Sequence, residues 1–278
     1  NEKGVLAKRR ITNIFEKIIL INNEIQSRIL VVVILTPVIT LVLLSKTSTL
    51  IAGTLLVLIA AGEIFYHFYK KLITFFIAVF ITLLAIILMQ FPLTIFLVIN
   101  CTILPLFYVA LLTEKTNKLT MNLLCLTYTV IFGSNLLFLI LQPTTMKYLG
   151  IVLIVSFASD IFAYAFGKKF GKRSLSKKYS KNKTWEGALG GFIFGATASL
   201  CCLIVFKLSD NIVINFLILI GLPIICQIGD ITSSILKRKM KIKDYSKLLL
   251  SHGGMTDRLD SIFAAAIYVN MLFILEVM

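Results

Sequence analysis

The chain has 278 residues, 58% of them hydrophobic and 15% charged, with a mean hydropathy of +0.95. Soluble domains run at about 45–50% apolar and about 25% charged, so this composition excludes a soluble enzyme, a nucleic-acid-binding domain and a disulfide-stapled secreted module. The net charge of +15 does not argue for a nucleic-acid partner, because its placement follows the positive-inside rule of membrane proteins.

Residues 1–28 are polar and basic and lack the apolar core of a cleavable signal peptide. Nine stretches then reach the roughly 20 apolar residues that a membrane-crossing helix needs: 29–45, 49–68, 72–89, 93–113, 120–141, 148–166, 187–207, 211–235 and 259–277. A barrel strand would be about 10 residues long and would alternate between lipid-facing and lumen-facing positions. These runs do neither, and they predict an all-α integral membrane protein of about nine transmembrane helices. With the N-terminus cytoplasmic and the C-terminus external, the inner segments are 1–28, 69–71, 114–119, 167–186 and 236–258. Of the 28 Lys and Arg, only Lys46, Lys147 and Lys207 fall outside them. The five cysteines all lie in apolar runs without metal-ligand spacing and read as packing residues.

The expected organisation is a cytoplasmic basic segment (1–28), a scaffold of helices (29–147) and a half with polar features (148–278). The scaffold half has one charged residue well inside a span, Glu63, with His67 one helical turn further on. This pair reads first as a buried polar contact and second as support for a site. Ionisable residues within spans are costly and mark sites by default. Asp160 and Asp230 are two such residues, and the last span opens with Asp257-Arg258-Leu259-Asp260, whose carboxylates neighbour each other on one helix face. Asp230, Ser234 and Lys237 form one polar stripe on an otherwise apolar helix. The loop after them carries Arg238, Lys243, Asp244 and Ser251-His252-Gly253-Gly254. Glycines let backbone approach a ligand closely, helix starts favour phosphate, and clustered carboxylates suit Mg²⁺. Together these residues describe a Mg²⁺–polyphosphate site at one membrane surface.

The other basic loop, Gly167-Lys168-Lys169-Phe170-Gly171-Lys172-Arg173, lacks the spacing of a Walker A loop. It leads into Lys183-Thr184-Trp185-Glu186-Gly187, which ties cation, hydroxyl and carboxylate to a helix start. Trp185 reads as a base-stacking residue or an interfacial anchor. Gly187, Gly191, Gly195 and Ser199 then recur at four-residue steps and predict a face for close helix packing.

The stretch Gly229-Asp230 through Lys237-Arg238, then Lys243-Asp244, then His252-Gly253-Gly254-Met255-Thr256-Asp257-Arg258-Leu259-Asp260, resembles the signature of the CDP-diacylglycerol synthases, also called phosphatidate cytidylyltransferases. Asp160, Ala163-Tyr164, Phe170-Gly171-Lys172 and Lys183-Thr184-Trp185-Glu186-Gly187 are similar to further motifs of that family. Two loop positions depart from its pattern: Leu250-Ser251 stands where Pro-Gly is usual, and Lys181 follows Ser180 where Pro is usual.

The resemblance implies that CTP and phosphatidic acid give CDP-diacylglycerol and pyrophosphate, with Mg²⁺ as cofactor and the number of ions open. It places the enzyme in a bacterial inner membrane with its site facing the cytoplasm, as a homodimer, with its second substrate drawn from membrane lipid and no nucleic-acid partner. Asp230, Asp257 and Asp260 are the expected metal ligands, and Asp230, Asp257, Asp260, Lys237 and Ser234 the expected catalytic set. Lys183, Thr184, Glu186, Arg238, His252, Gly253, Gly254, Arg258, Asp160 and Lys172 are the expected substrate contacts. Two other readings stay open: a CTP-dependent lipid-alcohol kinase, and a multi-span transporter.

Overall fold

The computed structural model describes residues 45–69, 71–88, 90–113, 117–142, 145–176, 180–249 and 253–277. The basic segment 1–28 and all but the last residue of the first predicted span lie outside them. Eight helices run in order: α1 (Lys46–Phe65), α2 (Lys71–Leu88), α3 (Leu93–Leu112), α4 (Lys118–Leu141), α5 (Thr145–Phe170), α6 (Trp185–Phe206), α7 (Ile212–Lys239) and α8 (Thr256–Val277). All eight are long and apolar enough to cross a membrane, and they correspond to the second through ninth predicted stretches. The protein is an all-α, multi-pass membrane protein in its spanning part. The strands among the described residues form one short antiparallel hairpin between α5 and α6, β1 (Ser174–Ser176) and β2 (Ser180–Thr184).

Hydrophobicity alone does not say which apolar helix faces lipid and which faces protein. Packing does. In α4 and α8, 83% and 72% of the spanning window is buried, against 22–39% for the other six, so these two form the middle of the bundle. The outer face of α2 turns Leu72, Phe75, Phe76, Phe80 and Leu83 outward. A π turn at Tyr128–Phe132 interrupts α4. Beyond it, Asn135 donates to the Asn100 side chain of α3 (2.7 Å), and Asn270 of α8 donates to the Asn135 carbonyl (2.7 Å). Inside a low-dielectric bundle such polar links fix the register of the helices they join.

The glycine face of α6 is used within the chain. A Cβ at Gly191 would lie 2.8 Å from the Ser159 carbonyl of α5, and one at Gly195 would lie 2.9 Å from Pro223 of α7. Any larger residue would push these three helices apart. Their close approach brings the C-terminal part of α5, the start of α6 and the middle of α7 around one space.

Successive helices alternate in direction, which gathers particular termini together. At one end of the bundle Tyr148 donates to the Leu208 carbonyl (3.3 Å). At the other, Asn122 donates to the Tyr69 hydroxyl (2.8 Å), and Glu63, Lys183, Asp230 and Asp257 all meet partners.

Candidate active site

A cavity of about 600 Å³ opens at this second end. Its walls come from α5 (Asp160, Tyr164, Lys168), the hairpin and the start of α6 (Lys183, Thr184), α7 (Gln227, Asp230) and α8 (Asp257, Arg258, Asp260). Residues far apart in sequence but singled out as chemistry-bearing thus line one space. Lys172, Ser234, Lys237, Glu186, Arg238, Gly253 and Gly254 do not border it, and His252 lies outside the described residues.

The carboxylates differ in what already holds them. Asp230 is about one-third exposed and meets Lys183 Nζ at 2.6 Å. Asp160 accepts from Ser261 Oγ at 3.1 Å, and the charges of Asp230, Lys183 and Arg258 act on it. Asp260 is 5% exposed, accepts from the Ser261 amide at 2.8 Å, and feels Asp230, Asp160, Lys237 and Lys183. These three acids repel one another across the cavity, and Lys183 and Arg258 offset part of that repulsion.

Asp257 is held most tightly. Lys237 Nζ meets its Oδ1 at 2.6 Å, and both side chains are nearly buried. The backbone amides of Tyr245 (3.0 Å) and Gly254 (2.9 Å) donate to Oδ2. Lys237 therefore serves the loop between α7 and α8, and it reaches the cavity only through Asp257. The loop's glycines have local reasons. Gly253 sits at φ +81°, a left-handed conformation that other residues adopt at a cost. A Cβ at Gly254 would lie 2.8 Å from Glu63 Oε2.

On the opposite wall Thr184 caps α6, accepting from the Gly187 amide (3.1 Å). Glu186 accepts from the amides of Lys172 (3.0 Å) and Arg173 (3.3 Å), which ties the end of α5 to the start of α6. An acidic residue in the first turn also matches the helix dipole. Trp185 is exposed at the helix start and does not reach the cavity. Ser234 is half-buried on α7. Arg238 donates to the Ile242 carbonyl (3.1 Å), and Asp244 is exposed.

Three contributors stand outside the expected site set. Gln227 lines the cavity one turn before Asp230 and donates to the Ala188 carbonyl (3.0 Å); an amide within an apolar run was the available signal. Ser261 holds Asp160. Tyr245, almost fully buried, offers its amide to Asp257 and its carbonyl to His67 Nε2 (2.7 Å), and burial pushes its phenol well above the usual range.

Among the described residues no group of three or more His, Cys, Asp or Glu side chains is gathered tightly enough to hold an ion unaided. Mg²⁺ seldom needs such a cage. It typically takes one or two carboxylates and completes its shell with water and substrate phosphate, and the all-oxygen acids lining this cavity suit it on those terms.

The fold and the cavity thus define a multi-pass membrane protein with a mixed acidic and basic cleft at one end of its helix bundle. The chain belongs to the cytidylyltransferase family, whose profile matches residues 26–275. It is 38% identical over 129 residues to a phosphatidate cytidylyltransferase of Haemophilus influenzae, covering 44% of each chain. It is 36% identical over 129 residues to that of Aquifex aeolicus, covering 46% of this chain and 48% of the relative. Against the Mycobacterium leprae protein the identity is 36% over 116 residues, covering 42% and 37%. Each match spans less than half of the relative's length.

Proposed function

We propose that the chain is a phosphatidate cytidylyltransferase, joining CTP and phosphatidic acid to give CDP-diacylglycerol and pyrophosphate for phospholipid synthesis. The observation that carries this reading is the grouping of Asp160, Asp230 and Asp260 with Lys183 and Arg258 around one cavity at the end of a membrane bundle. The names of the relatives point the same way. A volume of about 600 Å³ falls within the range of about 300–1,000 Å³ usual for small-molecule sites, and the mixed charges suit a nucleoside triphosphate with its counter-ion.

In this reading Asp230 and Asp260 hold Mg²⁺, with Asp160 beside them; Asp257 borders the same space and offers an oxygen only where Lys237 yields it. When bound, the metal supplies charge neutralisation along the triphosphate. Lys183 and Arg258 take phosphate oxygens, Lys183 exchanging its carboxylate partner for an anionic one. Thr184 and Glu186 keep the wall bearing Lys183 in place. A phosphatidate oxygen attacks the α-phosphorus of CTP, the new P–O bond forms as the bond to pyrophosphate breaks, and pyrophosphate leaves. The nucleophile is already anionic, so the protein's task is positioning more than proton transfer.

The cations favour a cytoplasmic site in a bacterial inner membrane, with the N-terminus inside, the C-terminus outside and the lipid entering from the bilayer. Helices 148–278 supply the catalytic groups. A homodimer completes the proposal, formed through surfaces other than the glycine face that α5 and α7 occupy.

The test is transfer of label from [α-³²P]CTP into chloroform-soluble lipid by purified protein with phosphatidic acid and Mg²⁺. Lipid labelling with equal release of pyrophosphate, abolished by EDTA and restored by Mg²⁺, is expected. Labelling of a lipid alcohol from [γ-³²P]CTP alone would replace the reading with a kinase, and silence in both assays would favour transport.

A further inference from the structure

Glu63 belongs to α1, more than 150 residues before any group that lines the cavity's other charged wall on α8, yet its carboxylate ends in the loop that precedes Asp257. Oε1 accepts from Ser246 Oγ (2.6 Å) and the Met255 amide (2.8 Å). Oε2 accepts from the Thr256 amide (2.8 Å) and Thr256 Oγ1 (2.7 Å). Glu63 is 9% exposed. Each oxygen has two donors, and none of the four belongs to a cation. The charge is met instead by hydrogen bonds and by the first turn of α8, where an anion is favoured.

Glu63 and Asp257 divide the loop between them. Asp257 takes the amides of Tyr245 and Gly254, and Glu63 takes the Ser246 hydroxyl and the amides of Met255 and Thr256. Near-adjacent residues at both ends of the loop are thus held alternately by the two carboxylates. His67 fixes the Tyr245 carbonyl from the same end of α1. Gly254 is squeezed between them, since a Cβ there would lie 2.8 and 2.9 Å from the Glu63 oxygens and 2.9 Å from Ser246 Oγ.

We propose that Glu63 is a positioning residue of the active site: by holding residues 246 and 255–256 it sets Asp257 and, through it, Lys237. This rests on the cytidylyltransferase reading for its kinetic consequence and on the hydrogen bonds alone for its structural one. Glu63→Gln keeps shape but puts an NH₂ where one oxygen accepts two donors. The serine or threonine hydroxyl can rotate to accept from it, but a buried backbone amide is left unpaired. The loop then shifts, and small misplacements of catalytic groups cost rate more than affinity.

The experiment compares wild type, Glu63→Gln and the milder Ser246→Ala in detergent, normalised to folded protein. Hydrogen exchange of the Tyr245 and Gly254–Thr256 amides is followed beside steady-state kinetics. For Glu63→Gln the expected result is a fall in kcat of about 10- to 100-fold, KM for CTP and phosphatidic acid within about twofold, and faster exchange confined to those amides. Ser246→Ala should show a smaller fall in kcat of the same kind, and it decides the matter should Glu63→Gln fail to fold. An unchanged kcat per folded molecule overturns the proposal, as does a raised KM at constant kcat, which would make Glu63 a substrate contact. If wild type itself transfers no label, the function fails separately and exchange alone judges Glu63: protection equal to wild type refutes it.

Discussion

Removing the Asp257 carboxylate should cost stability as well as activity. In Asp257→Ala the Lys237 ammonium loses its 2.6 Å partner at a position where its side chain is only 11% exposed, and two backbone amides lose their acceptor. Breaking a buried pair by deleting one member typically costs about 3–5 kcal/mol, because a charge is left without compensation. With about 2–4 °C of melting temperature per kcal/mol in a chain of this order of size, the expected drop is roughly 6–20 °C. The assay is thermal unfolding of purified protein in detergent, run beside the label-transfer assay at a temperature where both proteins are folded. The sharper arm is the double variant Asp257→Ala/Lys237→Met, which removes the stranded charge and keeps most of the side-chain stem. It should melt above Asp257→Ala alone while remaining inactive, since coupled sites are not additive. A single variant that melts with wild type, or a double that melts no higher than the single, would refute the claim that these groups depend on each other.

Asp230→Ala should behave differently: its pair with Lys183 is partly exposed, such pairs are worth about 0–1 kcal/mol, and turnover should vanish with a melting temperature close to that of wild type. A stable Asp230→Ala enzyme with near-normal turnover would remove Asp230 from the proposed metal site. The helix faces give a stability contrast. Gly190→Ala places a Cβ 2.5 Å from the Phe166 ring and should cost about 1–3 kcal/mol. Gly62→Ala meets nothing within 4 Å and should gain about 0.5–1 kcal/mol from helix propensity. Thermal unfolding checks both, and equal shifts would contradict the packing described for α6.

The spans were legible because crossing a bilayer needs a length of apolar chain that little else in a protein requires. The acids of the cavity were legible for the complementary reason: Asp160, Asp230 and Asp260 are too costly within such helices to be incidental. Spacing could not tell Asp257 from Asp260. Three residues apart, they are neighbours on one helix face, and which of them turns to the loop depends on where the Tyr245 and Gly254 amides lie at the helix start. The hairpin was illegible because Ser174–Thr184 is rich in Ser and Lys and lacks the alternating apolar pattern of a strand. The reach of Glu63 to Thr256, across 193 positions, has no periodic signature. It is set by α1 and α8 meeting in the bundle, which no local pattern records.

The hydrogen bonds separate two kinds of acid that look alike in sequence. Glu63 and Asp257 have their oxygens engaged by amides, hydroxyls and one ammonium, and an incoming ion would have to displace several of these at once. Asp230 is held by one partly exposed ammonium, Asp160 by one hydroxyl that water or a substrate group can replace, and Asp260 by an amide of its own helix. Electron pairs at the cavity are therefore most available on Asp160 of α5, Asp230 of α7 and Asp260 of α8. Asp257 at the start of α8 and Glu63 near the end of α1 are committed to the loop. A cation arriving with a triphosphate should settle toward Asp230 and Asp260, and Lys183 is the group it would compete with there. On the proposed reading, that competition lets a basic residue stand on the acid assigned to the metal without blocking it: the phosphate that brings the metal also offers the lysine a new partner.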